Sequence, residues 1–272
     1  MIELTLAEIA GAVDGKIVTG AADLKVSGNP DTDSRALEVG GIFFAKLGEH
    51  DDGHRYLEQV ADVAALAVVS QPNSALAIPQ IQVEDTVVNP MEIAVAPDGR
   101  VFFIERSGLL KVWSPTTQTS TIAGTLKVFT ELEDGLLGIA LDPKFAKNSW
   151  IYLFYSDPQT HTNDTKHKTG DNRVSRFTLR DGALDMASEK ILLRIQTQRD
   201  QCCHSAGSLA FDASGNLYAA TGDNTHPGES DGYSPIDERP DREPWNAQKS
   251  AANANDLRGK ILRIHPESNG TV

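Results

Sequence analysis

The chain of 272 residues carries 38 Asp/Glu against 25 Lys/Arg, a formal net charge of −13 at pH 7. That balance, without any Lys/Arg stripe, excludes the clustered cations that a nucleic-acid or anionic-membrane partner needs to neutralise phosphate. No stretch approaches the roughly 20 apolar residues of a membrane span, and Met1-Ile2-Glu3-Leu4-Thr5 lacks the cationic start of an export signal, so a soluble, cytoplasmic chain is expected.

The charge is unevenly spread. Residues 1–88 hold 14 of the acidic and only 5 of the basic side chains, while all three Trp (Trp113, Trp150, Trp245) and both Cys lie beyond them. Length permits two domains. The change of character at Asn89-Pro90 places their boundary there, giving domains of residues 1–88 and 89–272. Cys202 and Cys203 are adjacent and so build no disulfide framework; two ordinary thiols are expected, with a vicinal disulfide as the alternative.

The first domain reads as a small α/β unit. Thr5-Leu6-Ala7-Glu8 has the form of a capping box, Leu6, Ile9, Ala10 and Val13 follow at helical spacing, and Gly15 stops the helix. Gly41-Ile42-Phe43-Phe44-Ala45 is a short apolar run of the kind a buried strand shows. Tyr56, Leu57, Val60, Ala61 and Ala64 then mark a helical face. Ala65-Leu66-Ala67-Val68-Val69 and Ile81-Gln82-Val83 supply two more strands, and the alternation predicts a mixed or parallel sheet covered by helices.

Two loops of this unit, Asp31-Thr32-Asp33-Ser34-Arg35 and 48–54, are rich in Asp, Ser and Gly, which make turns and caps wherever they occur. Together with Gly41-Ile42-Phe43-Phe44-Ala45, Gly48-Glu49, Asp52-Gly53-His54 and Val83-Glu84-Asp85-Thr86, however, Thr32-Asp33-Ser34-Arg35 resembles the N-terminal domain of the Mur ligases, in particular those that act on UDP-N-acetylmuramoyl-tripeptide and D-alanyl-D-alanine. The resemblance implies that this domain holds the UDP end of a substrate, with Thr32, Ser34 and Arg35 as its contacts. Hydroxyls and a guanidinium suit uracil edges and phosphate oxygens. The ATP-binding loop of such ligases has no counterpart, because neither Gly15-Lys16 nor Gly259-Lys260 has the upstream glycine and following Ser/Thr of a phosphate loop. The helix that Asp85-Thr86 would open is expected to abort at Asn89-Pro90, since a proline pushes its predecessor out of helical geometry.

The second domain is a repeat. Residues 93–99, 139–144 and 209–215 are each an apolar strand ending in an Asp or Pro turn. Second strands follow at 101–104, 150–155 and 217–220, and third strands at 110–113, 174–177 and 261–264. Repeats of this size built from short strands predict an all-β partial propeller of about three blades, with loops at 160–172 and 194–205 lengthening the second period. Three blades leave a ring open, which predicts incomplete activity.

Residues 134–145, His204-Ser205-Ala206-Gly207-Ser208-Leu209, Thr221-Gly222-Asp223 and 257–263 together resemble the soluble glucose/sorbosone dehydrogenases, six-bladed quinoproteins that use pyrroloquinoline quinone (PQQ) and Ca²⁺ to oxidise sugar hydroxyls. The resemblance places the catalytic base at His204, imidazole being a side chain suited to proton removal near neutral pH. It also exposes departures. Cys203 stands where an orienting Asp is expected, no Arg lies near Ser208, and His226-Pro227 replaces an Arg-Asn pair. Residues 224–256 form an acidic, proline-bearing insertion that either lines the active face or is disordered. Its carboxylates suit Ca²⁺ by ligand type but match no EF-hand spacing. The combined expectation is a chimera of two incomplete parts, one for a UDP-sugar-peptide and one for a sugar.

Overall fold

The structure is a computed structural model that describes residues 3–13, 15–46, 52–83, 90–162 and 167–272. It divides into two units, Met1–Val88 with Trp113–Thr121, and Asn89–Val112 with Ile122–Val272. The expected aborted helix at 84–89 lies outside the described residues, as do Gly48 and Glu49.

The first unit begins with β1 (Leu4–Thr5) and α1 (Leu6–Ala12). The capping box is present: Thr5 Oγ1 accepts the Glu8 N–H at 3.2 Å and Glu8 Oε2 accepts the Thr5 N–H at 2.7 Å. There follow β2 (Lys16–Thr19), β3 (Lys25–Val26), β4 (Pro30–Asp31), β5 (Ile42–Phe44), α2 (Leu57–Val60), β6 (Leu66–Val69) and β7 (Gln80–Gln82). The sheet runs β2-β7-β6-β5-β4, parallel from β4 to β7 and antiparallel at β2. Every residue of β6 is buried because both sheet faces are covered. Leu66 and Val68 pack with Leu6, Ile9 and Ala10 of α1, while Ala67 and Val69 pack with Phe43 and with Leu57 and Val60 of α2. The second predicted helix is shorter than its apolar spacing suggests. A 3₁₀ turn, Gly53–Tyr56, precedes only four α-helical residues, and the N–H groups of Val63 and Ala64 both donate to Val60 O, which ends the helix and leaves Val63 O to accept from Gly40 N–H.

The second unit contains β8 (Pro90–Val95), β9 (Val101–Glu105), most of β10 (Leu109–Ser114) and of β11 (Thr119–Thr125), β12 (Leu136–Leu141), α3 (Phe145–Asn148), β13 (Trp150–Ser156), β14 (His161–Thr162), β15 (Lys168–Arg180), β16 (Ala183–Gln198), β17 (Ala206–Phe211), β18 (Leu217–Thr221) and β19 (Lys260–Ile264). These form three sheets: β8 to β11, then β12-β13-β15 with β14 and β16 on β15, then β17-β18-β19. The pairs β8–β9, β12–β13, β13–β15, β15–β16, β17–β18 and β18–β19 are antiparallel.

Period-two alternation lets the middle sheet serve two cores. From β13, Ile151, Leu153 and Tyr155 face Phe102, Ile104 and Leu110 of the first sheet, while Tyr152 and Phe154 face Leu209, Leu217 and Ala219 of the third. The loops expected at 160–172 and 194–205 are strand in part, since β15 begins at Lys168 and β16 runs to Gln198, while 199–205 remain the loop that enters β17. The sequence pattern predicts neither β11 nor β16. Both lie at the ends of their sheets, where polar side chains on an open face replace the apolar signature of an inner strand.

Candidate functional site

In the second unit, His204 lies just before β17 and Asp223 just after β18, and the antiparallel pairing of these strands brings the two together. His204 Nδ1 is 2.8 Å from Asp223 Oδ1, with the imidazole 46% and the carboxylate 22% exposed. Asp223 Oδ1 also accepts the Thr225 N–H at 3.1 Å, which fixes its orientation. The backbone is bent sharply here: His204, Ala206 and Asn224 all have φ between 56° and 63°, the left-handed region that non-glycine residues avoid. Gly222 is required by this packing, because a Cβ on it would overlap the His204 carbonyl.

Two neighbouring carboxylates hold the bend in place. Glu133 Oε2 accepts the His204 N–H and, at 3.4 Å, the Ser205 N–H. Buried Asp134 accepts the hydroxyls of Ser205 at 2.9 Å and Ser156 at 3.0 Å. From the other side, Asn224 Oδ1 accepts the Gln198 N–H at 2.7 Å and the Gln198 amide donates to Asn224 O at 3.0 Å. With Nδ1 donating to Asp223, the lone pair of Nε2 is left to accept a proton.

Position 203 offers no carboxylate, and the one that meets the imidazole is Asp223. In the sequence Thr221-Gly222-Asp223 stands only as part of a pattern, and strand pairing is what brings Asp223 to the imidazole. Cys202 and Cys203 are joined by a disulfide across a cis peptide bond, which corrects the expectation of two thiols. Adjacency alone leaves both states open. Ser208, near which an Arg is expected, donates its hydroxyl to Glu92 Oε1 at 2.6 Å.

The insertion at 224–256 is folded, with 3₁₀ turns at Ser230–Gly232, Glu243–Trp245 and Ala247–Lys249. Several of its carboxylates are bound by cations of the chain. Buried Asp237 accepts from Arg239 at 2.7 Å, and that guanidinium, helped by the Ser230 hydroxyl, holds the Asp237 carboxyl far below the usual carboxylate range. Glu243 pairs with Lys249 at 2.9 Å and Asp256 with Arg258 at 2.6 Å. Asp237, Glu243 and Asp256 thus already have cationic partners within the chain. Part of the insertion, with His167, Arg194 and Gln198, lines a cavity of about 460 Å³. His226 is turned onto its own loop, its Nδ1 2.7 Å from Gly228 O.

PQQ is a planar tricarboxylate and calls for cationic anchors. The acidic groups bonded to the His204 segment are Glu133, Asp134 and Asp223, and no Lys or Arg is bonded to it among the described residues. Around His204 itself this donor set offers PQQ no cationic anchor.

In the first unit the structure brings Thr32, Ser34 and Arg35 together. They line a cavity of about 580 Å³ with Asp33, Lys46, Gly53, Tyr56 and Gln59. Arg35 donates to Asp33 through Nε at 2.9 Å and Nη2 at 2.7 Å, and this lowers the Asp33 carboxyl to about 2. His54 serves the fold, since its Nε2 accepts the backbone N–H groups of Ser70 and Gln71 and its Nδ1 is 2.6 Å from Asp52.

The glucose/sorbosone dehydrogenase family model matches residues 87–272. The aldose sugar dehydrogenase YliI of Escherichia coli (strain K12) is 26% identical over 183 residues, 66% of this chain and 42% of that protein. The N-terminal part matches the UDP-N-acetylmuramoyl-tripeptide–D-alanyl-D-alanine ligase of Haemophilus influenzae, 37% identical over 95 residues, 35% of this chain and 20% of that ligase. Among solved structures, the PQQ-bound aldose sugar dehydrogenase of Streptomyces coelicolor is 24% identical with a TM-score of 0.48, covering 66% of this chain and 45% of that one. The chain spans less than half the length of each of these relatives. No helix among the described residues is long and apolar enough to cross a membrane.

Proposed function

Because the chain belongs to the glucose/sorbosone dehydrogenase family through residues 87–272, we propose that its second unit carries the sugar-side half of a dehydrogenase site, with His204 as general base and Asp223 as its orienting partner. The observation that supports this most directly is the 2.8 Å contact between His204 Nδ1 and Asp223. A sugar hydroxyl donates its hydrogen bond to Nε2. As the carbon bearing that hydroxyl is oxidised, the proton passes to Nε2, and Asp223 stabilises the imidazolium that forms. Glu133 and Asp134 keep the His204 backbone where this transfer can occur. The two electrons leave to an oxidant anchored by groups other than those around His204.

Saturation-transfer NMR with aldoses tests the reading. Wild-type protein is expected to show aldose contact that His204→Ala removes, and dye-coupled aldose oxidation is expected to need PQQ well above stoichiometry. A folded chain that shows no aldose contact sinks the proposal.

A second reading is supported in the first unit by the cavity that gathers Thr32, Ser34 and Arg35. There the hydroxyls and the guanidinium bind the UDP end of a UDP-N-acetylmuramoyl-peptide. Calorimetry with UDP-N-acetylmuramoyl-tripeptide should register binding heat in the wild type and none in Arg35→Ala. Equal heats in the two proteins reject it.

A further inference from the structure

We propose that Cys202, Cys203 and Glu133 form a redox-gated site for a thiophilic divalent cation of the Zn²⁺ or Cd²⁺ class, filled when the vicinal disulfide is reduced. The two sulfurs and a Glu133 carboxylate oxygen lie within 4.8 Å of one another, the only such group of His, Cys, Asp and Glu among the described residues. Ligand atoms around one tetrahedral zinc stand roughly 3.3–3.8 Å apart, given its usual bond lengths, so small side-chain rotations suffice to close this set on a single ion. The cysteines are half-buried and Glu133 is exposed, which leaves a fourth position open to water. Two thiolates select a soft or borderline cation over Ca²⁺ or Mg²⁺.

The ligands come from chain segments already pinned together. Glu133 precedes β12, the cysteines precede β17, and Glu133 accepts the N–H groups of His204 and Ser205 across that gap. In the oxidised state the sulfurs carry no charge and hold no cation. A dithiol reductant breaks the Cys202–Cys203 bond: the reductant gives up two electrons and two protons and closes its own disulfide, while the protein gains two thiols. The cation then displaces both thiol protons to solvent. Binding draws the Glu133 carboxylate away from the His204 and Ser205 amides, and so reaches the proposed base; this last consequence alone rests on the dehydrogenase reading.

Cd²⁺ titration of the full chain tests the site without sugar or quinone, which separates its failure from failure of the dehydrogenase reading. One sample is reduced with a dithiol and desalted without oxygen; the other is left oxidised. The reduced chain is expected to bind one Cd²⁺ with an ultraviolet cadmium–thiolate absorption band, and the oxidised chain none. Cys202→Ser and Cys203→Ser should each abolish the stoichiometric band, and Glu133→Gln should weaken binding at least tenfold while keeping it. The proposal is overturned by a folded, reduced chain with two free thiols and no band, by Glu133→Gln binding as tightly as the wild type, or by a disulfide that cannot be reduced while circular dichroism shows the fold intact.

Discussion

Asp223 Oδ1 sits 2.8 Å from His204 Nδ1, joining the turn that leaves β18 to the turn that enters β17. A carboxylate can only accept at that position, so the neutral imidazole carries its hydrogen on Nδ1 and offers Nε2 as base. Asp223→Asn replaces half of the carboxylate with a donor and permits the opposite tautomer. Nitrogen-15 NMR of His204 at a pH where the ring is neutral should show an unprotonated Nε2 in the wild type and a shift toward Nε2–H in the variant. In any aldose turnover the chain supports, kcat should fall by about 10²–10⁴. An unchanged tautomer would falsify the orienting role.

Gly222→Ala tests the same geometry from the backbone. The new Cβ would occupy the place of the His204 carbonyl, so the turn before β17 must move. Overpacking of this kind costs about 1–3 kcal/mol. Denaturant unfolding should report that loss, and the His204–Asp223 coupling should vanish from the NMR spectrum; a variant as stable as the wild type with the pair intact would contradict this close packing.

How far the sequence can be read follows from which signals are local. The capping box of α1 lies within four residues and is legible in full. The inner strands are legible because burial on both faces makes them continuous apolar runs, as in Leu66-Ala67-Val68-Val69 and in Ile151 to Tyr155. The outer strands β11 and β16 are not, because Thr, Ser, Glu and Gln on an open sheet face look like loop. His204 comes from a family pattern, and its partner Asp223 requires the strand register. The state of Cys202 and Cys203 has no sequence signal at all, since adjacent sulfurs meet whatever the fold.

The first unit gives a pH prediction. Two hydrogen bonds from the Arg35 guanidinium, with the Arg35 backbone N–H as a third, lower the Asp33 carboxyl from 3.8 to about 2. A depressed carboxyl stabilises the folded state above its ordinary value, and that contribution disappears as the pH falls from about 4 toward about 2. Both groups are well exposed, which keeps the effect small. Carboxyl carbon-13 titration should place the Asp33 midpoint near 2 in the wild type and back in the ordinary range in Arg35→Ala. Coincident midpoints would show that the pair does not persist in solution.

Glu92 offers a test of how the three sheets of the second unit are tied. Its Oε2 accepts the Ile139 N–H of β12 at 2.8 Å, and its Oε1 accepts the Ser208 hydroxyl of β17 at 2.6 Å, so one side chain on β8 bonds to strands of both other sheets. Hydrogen bonds to a charged acceptor contribute about 1.5–3 kcal/mol each where water is excluded, and less at a half-buried site such as this one. Glu92→Ala should therefore cost roughly 2 kcal/mol in denaturant unfolding of the second unit. Glu92→Gln keeps a carbonyl oxygen for Ile139 and can donate to the Ser208 oxygen, so it should recover more than half of that loss. Ser208→Ala removes only one of the two bonds and should fall between the wild type and Glu92→Ala. If Glu92→Ala costs less than about 0.5 kcal/mol, below the usual worth of even one net hydrogen bond, the sheets are held by the apolar contacts of Leu136, Ile139 and Leu209 alone, and the bridging role of Glu92 is wrong.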